Sequence, residues 1–231
     1  MKEIADAVDD SFVLAQKAKE VPQQNIIMAG VYFMGESIKI LSPDKTVRMP
    51  DLRADCPMAH MTTVQQIEEV RSQYDDLAVV CYINSTAEMK AHSDVIVTSS
   101  NAKRILSKLK EKNIFFIPDK NLGKNIAKDF PDKNIITKDG HCPVHDQITT
   151  SQIKSLKEAH PHACVLAHPE ATPEVVALAD FTGSTSSIIE QAQKVKEDEV
   201  IVVTEEGIRS DLEARCPNKT FYFPKKCTVR I

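Results

Sequence analysis

The sequence predicts an α/β fold of three similar αβα domains, with short parallel sheets in a pseudo-three-fold arrangement. Three observations carry that prediction. First, Cys56, Cys142 and Cys227 recur 86 and 85 residues apart, each after a short strand-like run: TVRMPD, NIITKD and TFYFPK. Second, the sequence around them repeats: Cys-Pro, Thr-Thr, a helical run, an apolar strand and an Asp follow both Cys56 and Cys142. Third, short and almost wholly apolar strands alternate with helical segments, the pattern of parallel sheets covered on both faces. A period of this length exceeds that of solenoid repeats and points to small domains. They are expected at residues 1–59, 60–146 and 147–231.

The elements follow in order. In the second domain TTVQQIEEVRSQ places Thr before a run with one apolar and one polar face, and LAVVCYI reads as a strand. NAKRILSKLK reads as a second helix, NIFFIPD as a strand, NLGKNIAKDF as a helix, and NIITKD as the strand into Cys142. NIIMAGV, NIFFIPD and EVIVVTE match one another across the three domains. Tyr82 and Asn84 align with His168 and Glu170, and Asp94 with Asp180, all 86 residues apart. Asp6 occupies the matching place near the start of the chain, where the other two domains carry a helix, a strand and a turn before it. The first domain is therefore expected to be N-terminally incomplete. Only four residues follow Cys227, so no helix is expected to cover the last strand.

Composition narrows the function. The chain has 231 residues, of which 42% are hydrophobic, enough for buried cores. Its net charge is −4 and its pI about 6.0, and Lys and Arg are dispersed without aromatic interleaving, so nucleic acid has little to hold. No apolar run has membrane-spanning length, and the opening MKEIADAVDD is acidic rather than signal-like. A cytoplasmic protein is expected. Six cysteines in a reducing compartment favour metal or catalytic roles over disulfides.

Ligands of parallel sheets bind at the carboxyl ends of the strands, which places Tyr82, Asn84, His168, Glu170 and the periodic cysteines on one side. Three thiolates suit a structural zinc or an iron–sulfur cluster with one iron lacking a protein ligand. Zinc usually takes paired local ligands of the CxxC kind, and none occurs. Cys81 and Cys164 lie within apolar strands and read as packing. Cys216 reads the same way on spacing alone, since Pro217 follows it.

Ser11, Ser99 and the Ser184–Thr185 pair follow Asp6, Asp94 and Asp180 by four or five residues, each expected to open a helix. One such hydroxyl is ordinary capping. Three of them aimed at one axis would add free N–H groups and helix dipoles into a receptor for carboxylates or phosphate. His168 and Glu170, two apart, are expected on one face of a strand, with Tyr82 and Asn84 likewise in the neighbouring repeat. A carboxylate and an imidazole at one mouth can move protons.

The segments GVYFMGESIKIL, PDLRADCPMAH, CYINSTAEMKAHSD, TSSNA, PDKNLG, DGHCPVH, AHPE and GSTS resemble, in order, the motifs of quinolinate synthase, the iron–sulfur enzyme of de novo NAD synthesis. The resemblance covers essentially the whole chain. It implies three αβα domains around a 4Fe-4S cluster, with Cys56, Cys142 and Cys227 as ligands. It implies a reaction that condenses iminoaspartate (iminosuccinate) with dihydroxyacetone phosphate to give quinolinate, phosphate and water. Coupling to an L-aspartate-oxidising enzyme is implied too.

Carried over by resemblance, Tyr82 and Asn84 bind the intermediate, and Ser11, Ser99 and Thr185 contact carboxylates or phosphate, with Ser184 adjacent. His168 and Glu170 form the binding and proton-transfer pair, Glu170 being the general acid/base. His145, in CPVH, is a further candidate near the cluster. The sequence departs from the family at three points. The Ala-His-Asn-Tyr motif of the first strand is missing, Asp9 stands where the family often has Gly, and no C-terminal helix follows Cys227. As written, the polypeptide is expected to bind a cluster poorly and to have little activity. Two other readings compete: a non-enzymatic iron–sulfur or zinc-binding module, and a phosphosugar isomerase or aldolase using His168 and Glu170 without metal.

Overall fold

Every strand pairing among the described residues is parallel. The structure, a computed structural model, describes residues 4–224; Cys227 lies outside that range. Ten strands form three separate sheets. The first pairs β1 (Asn25–Ile27) with β2 (Thr46–Arg48). The second contains β3 (Leu77–Tyr82), β4 (Val95–Val97), β5 (Asn113–Ile117) and β6 (Asn134–Ile136), in the order β4-β3-β5-β6. The third contains β7 (Cys164–Ala167), β8 (Phe181–Thr182), β9 (Glu199–Val203) and β10 (Thr220–Tyr222), in the matching order β8-β7-β9-β10.

The repeat extends to register. Ala78 pairs with Ile114 and Cys164 with Val200; Val80 pairs with Val95 and Leu166 with Phe181. Asn113 pairs with Asn134 and Glu199 with Thr220, and Asn25 pairs with Thr46 in the first sheet. Strands this apolar are buried on both faces. Val80, Ile114 and Phe116 join one core of the second sheet, while their neighbours Val79, Phe115 and Ile117 join the core on the opposite face. Leu166, Val200 and Val202 oppose Val165, Ile201 and Val203 in the same way in the third.

The polar repeats prove to be scaffold. Thr63 and Thr149 each form a capping box, with Gln66 and Gln152, at the start of the helices Val64–Arg71 and Thr150–Ala159. Asp94 accepts a hydrogen bond from the Val79 amide at 2.7 Å, and Asp180 from the Val165 amide at 2.7 Å. The periodic Asp therefore locks the central strand to the turn before its neighbour. The helix expected over NAKRILSKLK is confined to Ala102–Leu106. Asn101 at its start makes no side-chain cap, its Oδ1 being spent on the Thr98 amide.

Side chains tie the sheets together. Lys90 is buried, donates to Ser37 Oγ at 3.1 Å and lies over the Phe33 ring, while the Ala87 amide donates to Glu36 Oε2 at 2.9 Å. These contacts seat the helix Tyr32–Leu41 against the second sheet. On the far side the helix Lys120–Ala127 reaches the third: Asn121 donates to the Glu170 carbonyl at 3.2 Å, and Asn125 to those of Pro169 and Ala171 at 2.9 and 2.8 Å. No helix among the described residues is long and apolar enough to cross a membrane.

Candidate active site

The site forms where the carboxyl ends of the second and third sheets meet. Tyr82 is the last residue of β3. His168 and Glu170 lie just beyond β7, in a turn closed by the Ala171 amide on the His168 carbonyl. This corrects the expectation that they share a strand face: the strand has ended, and the turn folds the Glu170 amide back onto His168 Nδ1 at 3.3 Å.

Both described periodic cysteines stand before a proline-initiated turn, where Pro at the first position removes a donor that has no partner. Cys56 precedes the single 3-10 turn Pro57–His60, and Cys142 the short helix Pro143–Asp146. The amides of Met58 and Ala59 point at the Cys56 sulfur, and those of Val144 and His145 at that of Cys142. Both thiols border the apolar core of the second sheet. The loop into Cys142 runs against Pro118, where a Cβ on Gly140 would lie 2.2 Å from the carbonyl oxygen. Glycine is needed there for close approach.

Three buried groups and the half-buried Cys142 are linked in series. The Tyr82 hydroxyl donates to Glu170 Oε1 at 2.5 Å. Glu170 Oε2 lies 3.0 Å from His145 Nδ1, which is 3.1 Å from Cys142 Sγ. The other His145 nitrogen, Nε2, sits 2.9 Å from Thr204 Oγ1, and its ring stacks on His168 with centroids 4.9 Å apart. Tyr82, His168 and Glu170 are each 4% exposed and His145 6%, so bulk water screens little of their interaction.

Burial decides the charges. It opposes ionisation of Glu170, but the adjoining His145 and His168 and the bonds from His145 and Tyr82 hold its carboxyl below the ordinary range. Burial, with the Glu170 charge, pushes Tyr82 well up. Burial lowers His168 to about 4 against the pull of Glu170, in keeping with a ring nitrogen that accepts the Glu170 amide. The Cys142 thiol is raised by burial and then by Glu170, and Cys56 is raised chiefly by burial. A thiolate at either place needs a positive partner.

Such a partner has donors available. Cys142 Sγ, a His145 nitrogen and a Glu170 oxygen all lie within 4.8 Å of one another. Cys56 also feels the Glu170 charge. Soft sulfur beside imidazole and carboxylate fits a thiophilic metal group.

The other expected residues divide. Ser99 and Ser184 line one cavity of about 340 Å³ together with Ser100, Lys103, Asn125 and Ser187. Ser99 also stands close enough to bond the Tyr82 phenol. It does not open a helix, contrary to expectation, because the Thr98–Asn101 turn intervenes. Ser184 caps Thr185–Lys194 through the Ser187 amide, and Thr185 is the first helical residue. Ser11 begins Ser11–Glu20, but Asp10 is the cap, accepting from Phe12 and Val13. Asn84 is half-buried beside the buried Ile83 and Ser85.

Cys81 is fully buried in β3 and donates to the Tyr82 carbonyl, and Cys216 packs in the third core. Cys164 packs against the same core, its thiol pushed up by burial to about 11. The packing reading holds for these three.

Sequence reading missed Asp119 and Thr204 and underweighted His145. Asp119 is fully buried after β5, with Oδ1 capping Asn121 and Leu122 and Oδ2 without a hydrogen-bond partner among the described residues. Burial, then Glu170, raises its carboxyl well above the usual range. The Pro-Asp before NLGK was its signal. Thr204 stands 86 residues after Pro118, so the repeat located it without revealing its chemistry.

The sequence model described as Quinolinate synthetase A protein matches residues 1–230. The chain belongs to the quinolinate synthase family. It is 56% identical over 223 residues to a quinolinate synthase of Fusobacterium nucleatum, covering 96% of this chain and 74% of that protein. It is 49% identical to one of Clostridioides difficile, covering 97% and 74%. It is 45% identical to one of Aquifex aeolicus, covering 97% and 70%. The quinolinate synthase likeness thus spans all three sheets.

Proposed function

We propose that the site of this chain is built for the quinolinate synthase reaction in the cytoplasm, the condensation of iminoaspartate with dihydroxyacetone phosphate to quinolinate, phosphate and water, and that the polypeptide as written has little of that activity. The observation that carries the proposal is the linked series Tyr82–Glu170–His145–Cys142, which would join a proton-transfer pair to a cysteine ligand. Cys56, Cys142 and Cys227 would hold a 4Fe-4S cluster, the first two supported by thiols set before proline turns near the Glu170 charge. When bound, such a cluster supplies a Lewis-acidic iron suited to dehydration chemistry.

The side chains have separable roles. Glu170, ionised at neutral pH, accepts a substrate proton; Tyr82, kept protonated, donates one in return, and their 2.5 Å contact lets the pair reset. Neutral His168 orients a polar substrate group without adding charge. Asn84, Ser11, Ser99, Ser184 and Thr185 bind the substrate's anionic groups, and Ser99 and Ser184 share a cavity also lined by Lys103, Lys128 and Asp129, with Lys103 paired to Asp129 at 2.7 Å. We place the domains at 1–59, 60–146 and 147–231, a partition supported by one sheet falling within each. Functional coupling to an L-aspartate-oxidising enzyme would supply the unstable imine.

Anaerobic reconstitution with iron and sulfide tests the reading. The expected result is substoichiometric 4Fe-4S absorption that changes when a dicarboxylate analogue of the substrate is added, and a low yield of quinolinate on addition of both substrates. One observation favours a second reading: the Cys142, His145 and Glu170 donors are a mixed S, N, O set that also suits zinc. Stoichiometric zinc retained through reconstitution, lost in His145→Ala and indifferent to the analogue, would decide for a metal-binding module.

A further inference from the structure

Two residues that touch each other break the repeat where the second and third sheets meet. Asn121, the second residue of the helix Lys120–Ala127, stands 86 residues before Gly207. The turns around them are built alike: Asp119 Oδ1 accepts from the Asn121 amide at 2.8 Å, and Glu205 Oε2 from the Gly207 amide at 2.7 Å. The third repeat therefore makes this turn with no side chain at the matching place. Asp146, four residues after Cys142, stands 86 residues after His60, four residues after Cys56. His60 is exposed and pairs with Asp55 instead.

The side-chain amide of Asn121 spends both its hydrogens. It donates to Asp146 Oδ1 at 2.9 Å and to the Glu170 carbonyl at 3.2 Å. Asp146 ends the short Cys142 helix, its own amide donating to the Cys142 carbonyl at 2.9 Å. Asn121 is 2% exposed, so its amide has no water to fall back on. Glu170 is thus held to the Cys142 turn along two routes. One runs through its carboxylate, by His145 Nδ1 to Cys142 Sγ; the other runs through its carbonyl, by Asn121 and Asp146. A buried carbonyl stripped of its donor costs free energy until its turn shifts to find another. The turn from His168 to Ala171 is closed by a single backbone bond of 3.1 Å, so a shift of the carbonyl carries the carboxylate with it.

We propose that Asn121 is a positioning residue: it bridges the Cys142 turn to the Glu170 carbonyl and thereby sets the Glu170 carboxylate between Tyr82 and His145. It acts through Glu170 alone. The inference rests on the reading of Glu170 as the proton-transfer group and adds to it the group that aims the carboxylate.

Carbon-13 placed at Cζ of the four tyrosines reports their hydroxyl bonds in the whole chain without metal or substrate. Tyr82→Phe assigns the Tyr82 resonance, and Glu170→Gln marks its position when the carboxylate is gone. Asn121→Asp sets an acceptor against Asp146 and leaves the Glu170 carbonyl without its donor. The Tyr82 resonance is expected to move by more than a linewidth towards the Glu170→Gln position, and the melting temperature to fall. Adding Asp146→Asn returns a donor and an acceptor to that pair but no donor to Glu170, so the melt should recover while the resonance stays displaced. Asn121→Gly, which copies the third repeat, should fold and give the same displacement. Three outcomes overturn the proposal: a resonance unmoved in both single variants, its return together with the melt in the double variant, or loss of the fold in both single variants. The last two would make Asn121 a structural stitch. A chain that reconstitutes no cluster would count against the reaction proposed above and leave this test standing, since the tyrosine signal needs no metal.

Discussion

The second and third sheets share strand order, register, capping boxes and the Asp lock, yet place different chemistry at the same point. β3 runs out into Tyr82 and Asn84; β7 runs out into His168 and Glu170. The residue after β5 is Pro118, whereas its counterpart Thr204 after β9 holds His145. Asp119 is fully buried, whereas its counterpart Glu205 is half-buried and caps a surface turn. Side chains inside a ladder are constrained by packing on both faces. Those just past the last strand bond are not, and there the same scaffold carries a phenol in one unit hydrogen-bonded to a carboxylate in the other.

Substitutions can break or sharpen this contrast. The largest effect is expected from Cys142→Ala, which should abolish iron–sulfur absorbance after reconstitution, while Cys164→Ala, at a sulfur within the third core, should leave it intact. Glu170→Gln should lower turnover by about 10² to 10⁴ with cluster absorbance retained; a loss below tenfold would remove Glu170 as the proton-transfer group. Tyr82→Phe, at the matching place in the other repeat, should cost less, roughly ten- to a hundredfold in kcat, because Glu170 keeps its His145 contact.

Acid should also distinguish the two strand ends. His168 is depressed to about 4 by burial, so between that value and its ordinary 6.5 the unfolded chain binds more protons than the folded one. Stability should therefore fall as pH drops through this window and the His168 contribution level off below it, by a total on the order of 3 kcal/mol. Glu170, held below its ordinary value, adds a further loss only below about 4.5. Thermal melts of His168→Gln should be flatter between pH 6.5 and 4.5. Tyr82, pushed up rather than down, contributes nothing there. The smallest contrast is between Asp94→Asn and Asp180→Asn, each losing about 1–2 kcal/mol in denaturant melts, with Asp94→Asn the larger because Arg71 also pairs with Asp94 at 3.0 Å; a larger loss in Asp180→Asn would deny it.

Much of the scaffold was legible because it is written in short-range terms. Alternating apolar strands, Thr before a helical run and a recurring Asp each act within one unit, and the period multiplied their signal. The period picked out Tyr82, His168, Glu170 and Cys142, and these side chains do come together in one cluster around His145. His145 was underweighted because its importance depends on Thr204 and Glu170, both remote in sequence. Asp119 was missed because Pro-Asp before a helix looks like any cap, and only the packed structure strands its second oxygen. Ser99 was misplaced because Asn101, three residues later, claims the Thr98 amide and delays the helix.

From the opposite unit the side-chain amide of Asn121 holds the Glu170 carbonyl, and that of Asn125 holds the carbonyls of Pro169 and Ala171 on either side of it. Any hinge that parts the two units to admit a substrate must release those carbonyls and draw Glu170 away from Tyr82. Parting the two units would therefore also take apart the contact proposed above as the proton relay.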